Sequence, residues 1–135
     1  MTLSTDHSRL QIFFDGACPI CSREIAVTRR WDRNHRIEFI DISGKTFDPA
    51  SHGLDAKRIH EVMHVRGTDG KLYLGVDAFI QIARTLRHRL VPKLFLALLK
   101  VPGMMIVARA YYRWFARNRL RLGGRKRCTT ETCGI

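Results

Sequence analysis

Apolar positions near the start of the chain change period twice, and each change marks an element. Leu10-Gln11-Ile12-Phe13-Phe14 is a short apolar, aromatic-rich run closed by Asp15-Gly16, the pattern of a buried strand entering a turn. From Pro19 to about Trp31 the period is helical. Pro19 suits the first helical position, Cys21, Ile25 and Thr28 share one face, and Ile20, Val27 and Trp31 lie beside it. Arg36 to Ile42 has the composition of a second strand. Strand, helix, strand at this spacing predicts a βαβ unit, so Leu10–Phe14 and Ile37–Ile42 should run parallel.

Further along, Gly44 to Gly53 reads as loop with a turn at Asp48-Pro49, and Leu54–His60 as a short helix. Val62–Arg66 and Lys71–Leu74 flank Gly67-Thr68-Asp69-Gly70, a hairpin signal that predicts antiparallel pairing. A helix over about Val76–His88 would turn Phe79, Ile80, Ala83 and Leu86 to the sheet. Two more helices follow, Lys93–Lys100 and, past a Pro102-Gly103 break, Met104–Arg121. The residues from Gly123-Gly124 onward show no periodicity. This order predicts an α/β chain of thioredoxin-like fold: a central mixed sheet of about four strands flanked by helices, with a helical basic C-terminal extension. Residues 1–90 would form the thioredoxin-like domain, and 91–135 the extension packed on it.

Composition refines this picture. The chain has 135 residues, 45% of them hydrophobic, enough to bury one core. Its formal net charge is +12, and the excess is concentrated: residues 91–135 carry 10 basic and 1 acidic side chains, against 14 and 11 in residues 1–90. An acidic partner is therefore expected of the tail alone. Met1–Arg9 is polar and lacks the apolar core of a signal peptide, so a cytoplasmic, reducing setting is expected. Leu90–Ala108 is interrupted by Pro92, Lys93, Lys100, Pro102 and Gly103, too broken to span a bilayer, although lying on one stays open. In a reducing compartment the four cysteines point to catalysis or metal binding, not to a disulfide framework.

Cys18-Pro19-Ile20-Cys21 falls after the first strand and at the start of the first helix. Helix-start N–H groups and the positive end of the macrodipole stabilise a thiolate at Cys18. Cys21, one turn on, can reach the Cys18 sulfur. The expected roles are attack on a substrate disulfide by Cys18 and resolution of the mixed disulfide by Cys21, with Cys18 the more solvent-exposed and faster-reacting thiol. The competing reading is structural zinc, with Cys128 and Cys133 completing four thiolates. Against it stand the strand–turn–helix placement of the first pair and the looser spacing of the second.

Phe14-Asp15-Gly16-Ala17-Cys18-Pro19-Ile20-Cys21 resembles the signature of the DCC family of thiol-disulfide oxidoreductases, named for one Asp and two Cys, here Asp15, Cys18 and Cys21. The similarity continues through Val62–Val65, Asp69–Phe79 and the basic Tyr112–Arg119 segment, nearly the whole chain. The resemblance implies a thioredoxin-like fold and thiol-disulfide redox activity, and favours a functional role for Asp15. A carboxylate there would shuttle a proton for Cys21 or orient the turn, whereas Asp-Gly after a strand is also ordinary turn chemistry.

Substrate-contacting candidates follow from the same comparison. Pro19 lies between the cysteines, in the Cys-Pro-x-Cys spelling of glutaredoxins. Gly75-Val76-Asp77 stands between a strand and a helix like the glutathione-contacting turn of glutaredoxins, with Asp77 as a plain N-cap the alternative. Thioredoxins and glutaredoxins place a cis-proline before the third strand. No proline occurs here between Pro49 and Pro92, so Met63 or His64 fills that slot. His64 could serve as an acid or base, or be structural.

In the tail, Arg109, Arg113, Arg117 and Arg121 recur every four residues beside Tyr112, Trp114, Phe115 and Leu122. Nucleic acid, an anionic membrane surface or plain solvent could each face that stripe. The leading reading is a thiol-disulfide oxidoreductase without cofactor or metal, acting on a protein or low-molecular-weight disulfide. The alternative is a non-catalytic, zinc-stapled module that binds nucleic acid or an anionic membrane through its basic C-terminal helix.

Overall fold

The computed structural model describes residues 8–122, and its organising element is β1 (Leu10–Phe14), every residue of which is buried. Helix α1 (Pro19–Trp31) carries the chain from β1 to β2 (Ile37–Asp41), which pairs parallel to β1 from Leu10↔Ile37 to Phe14↔Asp41. On the other side of β1 lies β3 (His64–Arg66), antiparallel through Ile12↔Val65 and Phe13↔His64. Outermost is β4 (Leu72–Leu74), antiparallel to β3. The sheet order is β2-β1-β3-β4, and both predicted pairings are present.

Because strand side chains alternate, β1 feeds two cores. Leu10, Ile12 and Phe14 join Ile37 and Val65 beneath α1 and α2 (Val76–Thr85), which contribute Ile25, Ala78 and Ile82, while Leu86 follows α2. Phe13 faces the opposite side with Ile42, Leu54 and Ile59. Buried Asp32 closes α1: its carboxylate accepts the N–H groups of Arg36 at 3.0 Å and Ile37 at 2.9 Å, fixing the entry into β2.

Three sequence expectations are corrected here. Leu54–His60 is not one helix but follows a 3₁₀ turn at Ala50–His52 and ends in another at Arg58–His60. Asp48 accepts the Ala50 and Ser51 N–H groups and starts the first turn; Gly53, at φ +65°, ends it. Helix α2 stops at Thr85, and α3 (Leu90–Leu98) begins earlier than expected, since Pro92 in a first turn sacrifices no intrahelical bond. Lastly, Ala83 and Leu86 are buried as expected, but the rest of the inward face is Ala78 and Ile82, while Phe79 meets Tyr112 of α4 (Met104–Leu122) edge-on at 5.8 Å. Helix α2 is thus covered on two sides, which a single amphipathic stripe does not reveal.

Candidate active site

Cys18 is the N-cap of α1, and Cys21 sits in its first turn behind Pro19. The turn presenting them is held from three directions. Cys18 N–H donates to the Asp15 carbonyl at 3.1 Å, and the Asp15 carboxylate accepts Ala17 N–H at 3.0 Å. The Ser22 hydroxyl donates to the Gly16 carbonyl at 2.8 Å. From the end of β2, the Asp41 carboxylate accepts Gly16 N–H at 2.9 Å together with the Ser43 N–H and hydroxyl. A Cβ on Gly16 would collide with that carboxylate, so the close approach requires glycine. Partial desolvation pushes the Asp41 pKa up, but the bonds from Ser43 and Gly16 and the charge of Arg29 prevail and hold it below the usual range.

Both cysteines are free thiols and both are buried, Cys18 at 2% exposure and Cys21 at 8%. The expectation that Cys18 lies nearer solvent is therefore reversed: the turn that closes β1 carries the N-cap residue inward. Burial, then the hydrogen bond and charge of Cys18, push the Cys21 thiol up to about 12; Glu24 adds to the rise and Arg119 opposes it. The Arg119 guanidinium reaches across from α4, donates to the His60 carbonyl and lies 4.0 Å from Cys21 Sγ.

Arg119 was not among the sequence-derived candidates. A signal existed: Ala108, Tyr112, Phe115 and Arg119 recur at i, i+4, i+7 and i+11, one helical face distinct from the Arg109–Arg121 stripe. Tyr112, on that face, accepts Met63 N–H at 2.8 Å through its hydroxyl. Burial raises the Tyr112 pKa, which keeps the hydroxyl protonated.

Of the substrate-contacting candidates, the structure brings Met63 and Gly75 together and leaves the others apart. The Met63 carbonyl accepts Gly75 N–H at 3.0 Å, and Gly75, at φ +58°, would press any Cβ against the Tyr112 ring. With its N–H on Tyr112 and its carbonyl on Gly75, Met63 has its main chain engaged internally. Pro19 is exposed at the start of α1. Asp77 lies inside α2, whose N-cap is Gly75, and pairs with Arg109 at 3.6 Å on the surface.

His64 is paired with Phe13 across β1 and β3, so its side chain belongs to the sheet face opposite α1 and the cysteines. Its Nδ1 donates to the Val62 carbonyl at 2.8 Å. Burial lowers its pKa from 6.5 and Arg58 adds to this, while the Val62 bond and Asp55 oppose it. The unfolded chain then binds more protons than the folded one in mildly acid solution. The stability carried by neutral His64 is full above 6.5 and is lost as the pH falls below it. Unfolding measured between about pH 7 and about pH 5 should show this loss, and His64→Gln should flatten it. An equal slope in the variant refutes the assignment.

A cavity of about 600 Å³ is walled by Ile25 and Trp31 of α1, Phe79 of α2, Phe95 of α3, and Tyr112 and Phe115 of α4. Among the described residues no three or more His, Cys, Asp or Glu are grouped to hold a metal. Cys128 and Cys133, on which the zinc reading depends, lie outside the described residues.

A mixed β2-β1-β3-β4 sheet, with a Cys-x-x-Cys pair at the start of the helix joining its parallel strands, defines a dithiol protein of thioredoxin-like fold. The family model for DCC1-like thiol-disulfide oxidoreductases matches residues 12–125, and the chain belongs to that family. It is also similar to a chloroplastic protein of Arabidopsis thaliana whose name calls it uncharacterized. The two are 29% identical over 138 residues, which cover 93% of this chain and 63% of that protein. The chain thus spans less than two thirds of that relative's length. No solved structure matches the chain. Family membership supports a redox function.

Proposed function

We propose that this protein is a thiol-disulfide oxidoreductase in which Cys18 attacks and Cys21 resolves. The observation that carries this reading is two free, buried thiols within one turn of each other at a helix N-terminus, the second of them faced by a guanidinium. Burial and Cys18 hold Cys21 as the thiol at neutral pH, so attack falls to Cys18. Cys18 Sγ bonds to one sulfur of a substrate disulfide, and the other sulfur leaves as a thiolate. Two of the influences that raise Cys21, the hydrogen bond to Cys18 and its charge, then disappear, while Arg119 remains. The Cys21 thiolate attacks Cys18 Sγ, forms the internal disulfide and expels the second substrate thiolate. Two electrons and two protons pass to the substrate, and an external dithiol must restore the protein.

Asp15 assists by fixing the Cys18 turn through its carbonyl and carboxylate. Since the Met63 main chain is already engaged, substrate contact falls to Pro19 and the Met63 side chain. The test is equilibration of the purified protein in glutathione redox buffers, with peptide mapping of cysteine linkages and turnover of a model disulfide under a dithiol reductant. A Cys18–Cys21 disulfide forming with a defined midpoint, together with accelerated turnover, supports the reading. Failure of that disulfide to form at any poise, with no acceleration, overturns it.

A further inference from the structure

Helices α3 and α4 depart from the burial pattern of the other elements. In α3 the buried residue is Pro92, and no described side chain of α4 is buried. Of the twelve large apolar side chains exposed among the described residues, ten fall between Leu90 and Leu122. Leu90 is 79% exposed, Leu94 66%, Ile106 75% and Trp114 54%. They are ordered by helical period. Leu90, Val91, Leu94 and Leu98 share one face of α3. Ile106, Val107, Tyr111 and Trp114 fall within about 140° of arc on α4, at 100° per residue. Exposed apolar surface so concentrated is uncommon on a monomer and marks a contact. The cavity walled by the four helices reaches the same place, with exposed Val91 and Tyr111 among its lining residues.

Charge decides the partner. Residues 90–122 contain seven Lys and Arg and no Asp or Glu. A second copy packed face to face would oppose these cations to one another. Nucleic acid would engage the arginines but leave exposed leucines, isoleucine and valines with nothing apolar to meet. An anionic bilayer satisfies both features, and since no helix here is long and apolar enough to cross a membrane, the contact must be interfacial. We propose that the α3–α4 face docks on an anionic lipid bilayer. Leu90, Leu94, Ile106 and Val107 enter the acyl boundary, Tyr111 and Trp114 sit at headgroup level, and Arg113, Arg117 and Arg121 meet lipid phosphates. This docking is independent of the cysteine chemistry.

The full chain is floated with vesicles of phosphatidylcholine alone or mixed with phosphatidylglycerol. Expected is binding to the mixed vesicles only, weakened by salt, with tryptophan fluorescence quenched by brominated lipid and most of the quenching lost in Trp114→Phe, which leaves Trp31 as the emitter. A Leu94→Gln, Ile106→Gln double variant, both positions being exposed, should keep its circular dichroism spectrum and bind about tenfold or more weakly. Equal binding by that variant reduces the contact to charge adsorption and overturns the proposal. So does the absence of vesicle binding at low ionic strength, whether the chain then retains a single-stranded oligonucleotide or runs as a dimer that the variant dissociates.

Discussion

Replacing Cys18 with serine is expected to bring disulfide-reducing turnover down to the uncatalysed background, a loss of about three orders of magnitude or more. A serine hydroxyl is not ionised at neutral pH and cannot form the mixed disulfide, and Cys21, held as a thiol by burial, does not substitute for it. Cys21→Ser should behave differently. It keeps the attacking sulfur and loses the resolving one, so the substrate half stays attached to Cys18 and appears as a mass adduct that a reducing agent releases. Turnover in that variant then depends on a second thiol from solution, and glutathione should restore it in proportion to its concentration. Retention of full activity by both variants would remove the cysteine pair from the reaction. Accumulation of the adduct on Cys21 in the wild-type protein would exchange the two roles.

How much of this was visible in the sequence depends on the range of the contacts involved. The β1–α1–β2 unit was legible because each part signals locally: an unbroken apolar run, proline in the helix-starting position, and a second apolar run at crossover distance. The cysteine pair inherits its placement from that unit, and the hairpin from Asp69-Gly70. The groups that act on the pair from outside were not legible. Asp41 reaches the turn across the β1–β2 register, 25 residues from Gly16, and Arg119 meets Cys21 over a separation of 98 residues. The helical period places Arg119 on the face of Ala108, Tyr112 and Phe115, but nothing in a local window says that this face meets the cysteines. His64 shows a different failure. Its position before the third-strand core suggested the cysteines, but strand alternation sends it to the other face, and that parity becomes readable only once Phe13↔His64 is known. The inward turn of Cys18 likewise follows from the Asp15–Cys18 hydrogen bond, which residue type alone does not dictate.

Arg119→Gln should raise the Cys21 pKa further, because it removes a cation that opposes the rise. The measurement is cleanest in Cys18→Ser protein, where the Cys18 influences are gone and burial, Glu24 and Arg119 remain. Thiolate absorbance against pH, taken as the difference from a Cys18→Ser, Cys21→Ser double variant so that Cys128 and Cys133 cancel, then reports Cys21. Each unit of rise leaves about tenfold less thiolate at neutral pH, yet should slow resolution by only about three- to fourfold, since a more basic thiolate is the better nucleophile. Arg119→Lys keeps the charge and should recover most of the titration shift. Arg119 also holds the His60 carbonyl, so a purely structural role would lower stability in both variants and leave the Cys21 titration where it was. That outcome, slowed turnover with an unmoved titration, would strip Arg119 of its electrostatic part. A titration that moves with charge, and is rescued by lysine, makes the basic C-terminal helix part of the redox site.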